Sequence, residues 1–141
     1  MIKVKFVKLW CNAVTPHRGS ALAAGYDLTA IDYKKEVDFA GDVWVYSTGI
    51  AVELPPGYCG LLMPRSSICR TGAVMCNGVG LLDEDYRGEI TFKFYGACKP
   101  YNVGERIGQL VIMPVPAVEF EQVEVLSETE RGAGSYGSTG K

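Results

Sequence analysis

Apolar and polar positions along this chain alternate in short runs broken by glycine and proline, and they rarely recur every three or four residues. A period of two is the signature of strands with one buried face. Ile2, Val4 and Phe6 alternate with Lys3 and Lys5, and the phase then shifts to Val7 and Leu9, as at a bulge or a strand end. Residues 15–20 read as a turn from Pro16 and Gly19, and residues 26–30 as a strand with Asp27 between apolar neighbours. The β-branched and aromatic run over 42–54 predicts strand, interrupted at Gly49 and closed by Pro55-Pro56-Gly57. Residues 58–63, 90–95 and 108–115 predict further strands, and Val118, Phe120, Val123 and Val125 complete the set. Helix is confined to a turn or two over 66–73, begun by a serine cap and stopped by Gly72.

Many short strands separated by turn residues predict an all-β fold, a sandwich or barrel such as a jelly roll, with at most one short helix. A length of 141 residues suits one domain with one core. Residues 1–130 form that domain in this reading, and the Gly- and Ser-rich stretch 131–141 a flexible arm. No apolar run is long enough to span a bilayer, and the charged, alternating N-terminus lacks a secretory core, which predicts a cytoplasmic protein. A formal charge of -2 offers no general attraction to nucleic acid, so a polyanion it handles is small and met by local cations. Five cysteines without a Cys-x-x-Cys pair read as buried thiols, and His17 alone supports neither a zinc site nor a Ser-His or Cys-His pair.

Five polar patches stand out from this framework. Ala24-Gly25-Tyr26-Asp27-Leu28 sets one carboxylate in a strand. Pro64-Arg65-Ser66-Ser67 places a cation and two hydroxyls where backbone N–H groups can meet a phosphate. The stretch 77–89, from Asn77-Gly78-Val79-Gly80 through Asp83-Glu84-Asp85-Tyr86, reads as a strand entering a tight turn and leaving in a second strand. A carboxylate held at a strand end suits a general base that aims a water. Arg106-Ile107-Gly108-Gln109 puts a cation and an amide on alternating sides of a strand start. Finally, Arg131, Ser135, Ser138 and Thr139 offer donors from a glycine-rich arm able to wrap a ligand.

In type and order these patches resemble the five motifs of the trimeric deoxyuridine triphosphate nucleotidohydrolases, the dUTPases, over nearly the whole chain. The resemblance implies a jelly-roll subunit of the dUTPase β-clip type, working as a homotrimer with shared sites, and Mg2+ as cofactor. The reaction implied converts dUTP and water to dUMP and pyrophosphate, limiting uracil in DNA and supplying dUMP. By the same resemblance Asp83 is the catalytic base, Tyr86 packs under the deoxyribose, and Asn77 begins a hairpin, with Gly80, that reads uracil. Arg65, Ser66, Ser67 and Gln109 hold phosphates. Arg131, Ser135, Tyr136, Gly137, Ser138 and Thr139 close the site, Tyr136 standing where a stacking phenylalanine is usual. Mg2+ sits on the triphosphate, with Asp27 reaching it only through water.

Four positions depart from the family pattern: Ser67 for glycine, Gly108 for alanine, and Ser135-Tyr136 for Gly-Phe. The change at 108 reads as a smaller contact with more backbone freedom. A related activity, dCTP deamination, shares Arg-Ser-Ser and a following arginine, matched here by Ser66, Ser67 and Arg70. It needs a glutamate where this chain has Lys93, and a lysine cannot shuttle protons as a carboxylate does. A regulatory binding role on the same scaffold is the reading from another class.

Overall fold

The structure is a computed structural model, and it describes residues 1–135. Among them are β1 (Lys5–Lys8), β2 (Tyr26–Thr29), β3 (Asp32–Asp38), β4 (Gly41–Ser47), β5 (Ile50–Glu53), β6 (Tyr58–Pro64), β7 (Val74–Met75), β8 (Gly80–Leu82), β9 (Thr91–Tyr95) and β10 (Arg106–Pro114). All pair antiparallel, in two four-stranded sheets ordered β2-β10-β6-β8 and β3-β4-β9-β7 and a two-stranded β1-β5 ribbon. One cluster of buried side chains joins the sheets, with Leu28, Leu62 and Leu110 from the first and Tyr46, Phe92 and Phe94 from the second. The expected all-β jelly roll is therefore the fold found.

The interruption at Gly49 is the corner where the chain leaves one sheet for the β1-β5 ribbon. Its φ is +69°, and a Cβ there would meet Ile31 and Ala13 at 2.7 and 2.8 Å, so both backbone and space call for glycine. β3 escaped the sequence reading because its residues, Asp-Tyr-Lys-Lys-Glu-Val-Asp, are mostly charged. It is an edge strand, and its charges protect that edge: Lys35 pairs with Asp42 at 2.7 Å and Glu36 with Lys34 at 2.6 Å.

Three expectations require correction. Val118, Phe120, Val123 and Val125 form no strand, because β10 ends at Pro114, Pro116 follows without a donor, and no sheet edge among the described residues receives them. Phe120 is 98% exposed. The cysteines are all free, but Cys11, Cys69 and Cys98 are exposed and only Cys59 and Cys76 half-buried, since none sits on a core-facing strand position. The helical turn is a 3-10 helix, Ser66–Arg70, whose cap position is Arg65 with no side-chain cap hydrogen bond. Ser66 and Ser67 already lie inside it.

Gly108 is likewise not a point of extra freedom. A Cβ there would fall within the ring of Phe92, a fully buried side chain. Gly108→Ala should therefore overpack the core and lower stability by about 1–3 kcal/mol, and adding Phe92→Leu should restore most of it. Denaturant unfolding of the single and double variants measures both effects.

Candidate active site

Asp27 lies on β2, and its carboxylate is 4% exposed. Burying that charge is tolerable only with partners. Two guanidiniums supply them: Arg65 Nε donates to Oδ1 at 3.0 Å and Arg106 Nη1 to Oδ2 at 2.9 Å. Simple alternation would put Arg106 and Gln109 on opposite faces of β10, but the register against β2 shifts between Arg106 and Gly108. This bulge turns Arg106 towards the same carboxylate that Gln109 faces across the ladder.

Gln109 is opposite Asp27 on one side and Met63 on the other. A Cβ at Gly25 would lie 2.8 Å from Gln109 Oε1, so Gly25 is what lets the amide lie close against the backbone just before β2. Asp27, Arg65, Gln109 and Gly25 line a cavity of about 370 Å³ with Ser20 at its rim. Its chemistry is that of an oxyanion receptor, with guanidinium and amide donors around an anion that fixes their orientation.

Ser66 is exposed, whereas Ser67 Oγ is buried without a hydrogen-bond partner among the described residues, as is Tyr101 OH. Burial pushes the Tyr101 phenol above its ordinary pKa. Ser67 and Arg65 oppose that rise, although the two hydroxyls do not meet in hydrogen-bond geometry. Tyr101 itself is anchored through its backbone, its N–H donating to Tyr46 Oη at 3.1 Å and its carbonyl accepting from that hydroxyl at 2.8 Å.

Asp83 immediately follows β8, exposed, at the head of a turn closed by Tyr86 N–H donating to its carbonyl at 3.2 Å. The turn is pinned at several points. Gly57 N–H donates to Glu84 Oε2 at 2.8 Å, Gly49 N–H to Glu89 Oε1 at 2.7 Å, and Arg87 Nη1 to the Glu84 carbonyl at 2.6 Å. The Tyr86 ring lies over Gly88 and its hydroxyl donates to the Glu89 carbonyl at 3.0 Å. In the sequence Glu84 and Glu89 are only two further carboxylates of the 77–89 stretch, with no role of their own. Only a turn amide elsewhere in the chain gives each a purpose.

Asn77 is exposed, and its amide packs over Gly80, whose added Cβ would lie 3.3 Å from Asn77 Nδ2. The flanking strands are not a hairpin with one another. β7 pairs with β9 and β8 with β6, so residues 76–79 cross between sheets, with Gly78 at φ +64°. The strands either side of Asp83 are divided in the same way, β8 in one sheet and β9 in the other.

One chain does not bring all the predicted residues together. Asp27, Arg65 and Gln109 converge, but Asp83 does not join them. β8 runs antiparallel to β6, with Leu82 opposite Gly60, so Asp83 lies near the start of β6 while Arg65 follows its end. Six residues of strand at about 3.3 Å each put roughly 20 Å between those backbone positions. Arg131 makes a local turn, Nε donating to the Gly134 carbonyl at 3.1 Å, and Ser135 is exposed. Tyr136, Gly137, Ser138 and Thr139 lie outside the described residues. Lys93, on β9, is exposed and faces Glu36 at 3.4 Å, not the cavity.

The dUTPase family profile matches residues 12–140. The chain belongs to the dUTPase family. It is 40% identical to the deoxyuridine 5'-triphosphate nucleotidohydrolase of Wolinella succinogenes, the match covering 99% of this chain and 95% of that protein. It is 39% identical to the human mitochondrial protein of the same description, covering 99% of this chain but 56% of the longer human one. A Staphylococcus bacteriophage 80alpha dUTPase with dUPNHPP superposes at a TM-score of 0.83, with 27% identity and 99% of both chains covered. A mutant dUTPase from phage phi11 of S. aureus, described with a structural Mg(II) ion, gives 0.72 at 25% identity over 87% of this chain and 97% of that one. As a family member this chain is a dUTP diphosphatase. Among the described residues no helix is long and apolar enough to cross a membrane.

Proposed function

We propose that hydrolysis takes place between copies of this chain, in a homotrimer where Asp83 of one copy faces a nucleotide whose phosphates are held by Arg65, Gln109, Ser66 and Ser67 of another. The carrying observation is the separation of about 20 Å between Asp83 and Arg65 along β6, far more than a triphosphate's reach from one phosphorus to the next. Asp83 accepts a proton from the water that attacks the α-phosphorus, and pyrophosphate leaves. The clamps from Glu84 and Glu89 fix the turn that carries this base, so the water is aimed without reorganisation. Tyr86 packs against the deoxyribose and leaves no room for a 2′-hydroxyl, while Asn77 and Gly80 read uracil. Residues 1–130 act as the domain, and the 131–141 arm, with Arg131, Ser135, Tyr136, Gly137, Ser138 and Thr139, closes over the γ end. These residues act in a cytoplasmic nucleotide-handling role.

The donor set fits Mg2+ in one way only. Among the described residues no three His, Cys, Asp or Glu side chains cluster, and both oxygens of Asp27 already receive guanidinium N–H groups. That suits an ion carried on the triphosphate, with Asp27 accepting from a water of its shell, and not an ion caged by protein. When bound, Mg2+ supplies positive charge to the phosphate oxygens.

Incubation with each deoxynucleoside triphosphate and Mg2+ tests this reading. Pyrophosphate should form from dUTP at a rate at least ~100-fold above that from dCTP or dTTP, since cytosine presents a reversed donor and acceptor to the base-reading edge and thymine brings a methyl that a tight slot excludes. Ammonia from dCTP would replace this function with deamination.

A further inference from the structure

The corner at residues 48–50 is stitched to residues 89–90 by a ring of hydrogen bonds. Thr48 Oγ1 donates to the Ile90 carbonyl at 2.6 Å, Ile90 N–H to the Ile50 carbonyl at 2.8 Å, and Gly49 N–H to Glu89 Oε1 at 2.7 Å. Ile50 N–H adds a longer bond to Thr48 Oγ1 at 3.3 Å. Thr48, Ile50 and Ile90 are each 1% exposed or less, so water does not compete for the bonds between them. The Glu89 carboxylate is the half-buried outer member, a charge-assisted acceptor for a glycine held at φ +69°.

The peptide between Glu89 and Ile90 faces both ways. Its N–H is taken by Ile50 and, because a trans peptide is planar, its carbonyl points the opposite way, where it accepts the Tyr86 hydroxyl at 3.0 Å. Tyr86 is thus tethered at its far end to the 48–50 corner through one rigid unit. Beneath the ring Gly88 has no Cβ, which would lie 2.6 Å from Tyr86 Cζ, so the ring can settle against the backbone. The residue stays 42% exposed, which leaves part of the ring open to a ligand. Glu84, the other clamp of this turn, shares none of these bonds. Its carboxylate accepts the Gly57 N–H and its carbonyl accepts from Arg87.

Resting on the reading that Tyr86 lies under the deoxyribose, we propose that Glu89 is a positioning residue for sugar specificity. By fixing the 48–50 corner against the Glu89–Ile90 peptide, it sets the height of the Tyr86 ring and so how strictly the site excludes a 2′-hydroxyl. Exclusion by contact is sensitive to small displacements, since a working site tolerates only about 0.5 Å of misplacement. The two clamps thereby divide the turn, Glu84 steadying its Asp83 side and Glu89 its Tyr86 side.

Pyrophosphate release from dUTP and from its ribose counterpart UTP, measured as kcat/KM on the full chain with Mg2+, tests this role. Glu89→Ala should lower the dUTP-to-UTP ratio roughly tenfold, chiefly through the two KM values, as a small misplacement of a contact group does. Tyr86→Phe loses the same tether without disturbing the corner and should lower the ratio several-fold, which keeps the test open should Glu89→Ala fold poorly. The double variant should do no more than Glu89→Ala alone, since both changes remove one linkage. Glu89→Gln, whose amide oxygen still accepts the Gly49 N–H, should hold the ratio within about threefold of the unsubstituted chain. Glu84→Ala should lower kcat for both nucleotides alike and leave the ratio where it was. An unmoved ratio in Glu89→Ala, multiplying effects in the double variant, or an equal shift from Glu84→Ala would each overturn the proposal. Tyr86→Ala separates it from the reading beneath it. An intact ratio in that variant removes the sugar role of Tyr86 and the proposal with it, whereas a collapsed ratio beside an unmoved Glu89→Ala removes the positioning role only.

Discussion

Asp83→Asn should lower turnover by about 100- to 10,000-fold, the usual worth of a positioned general base, while affinity for a dUTP analogue stays within a few-fold. The substitution removes a proton acceptor and almost no volume. Asp83 is exposed at the end of β8, and the bonds that shape its turn come from its carbonyl and from Glu84, Arg87 and Glu89. Stability should therefore change little. Steady-state kinetics with a separate binding isotherm gives the split, and loss of binding with intact chemistry per bound nucleotide would make Asp83 a binding group.

The second large effect is expected at Asp27, and it is of the opposite kind. Asp27→Asn removes the anion on which Arg65 and Arg106 converge and leaves two cations facing a neutral amide. Breaking a buried ion pair on one side costs about 3–5 kcal/mol. The lower end applies here, because the Arg106 side chain is 43% exposed and Arg65 24%, so water screens part of the loss. A fall of about 10 °C in melting temperature follows for a chain of this size. Arg65, no longer held by its Nε, should also raise KM more than it lowers kcat. A drop in kcat alone, with unchanged melting temperature, would instead assign Asp27 to the chemical step.

The two sites differ in how far the sequence disclosed them. Alternation located most strands, and Gly49 correctly marked a break, because φ-positive corners favour glycine whatever the fold. β3 was invisible because an edge strand needs charges more than an apolar face. The 118–125 segment misled for the converse reason, since apolar alternation shows what could pair and not whether a partner strand exists within the chain. Arg106 was seen only as one half of an alternating pair. Its convergence on Asp27 depends on a bulge, and no residue type announces a bulge. Gly108 was misread because its meaning lies in Phe92, well upstream in sequence, whose ring takes the space a Cβ would need.

The clamp residues make the same point from another side. Glu84 and Glu89 each accept a turn amide 27 and 40 residues away in sequence, Gly57 and Gly49. Such pairings are decided by tertiary approach alone.

The claim that Asp83 serves a nucleotide held by another copy is tested most directly by subunit complementation. Asp83→Asn and Arg65→Gln chains, each nearly inactive alone, are co-expressed with different tags, and oligomers carrying both tags are purified. In a cyclic trimer of either mixed composition, one site in about three pairs an intact Asp83 with an intact Arg65 from a different chain. The mixed oligomers should then regain about a third of the unsubstituted activity. Activity no greater than the sum of the two parents would mean that Asp83 and Arg65 act within one chain, and would contradict the account.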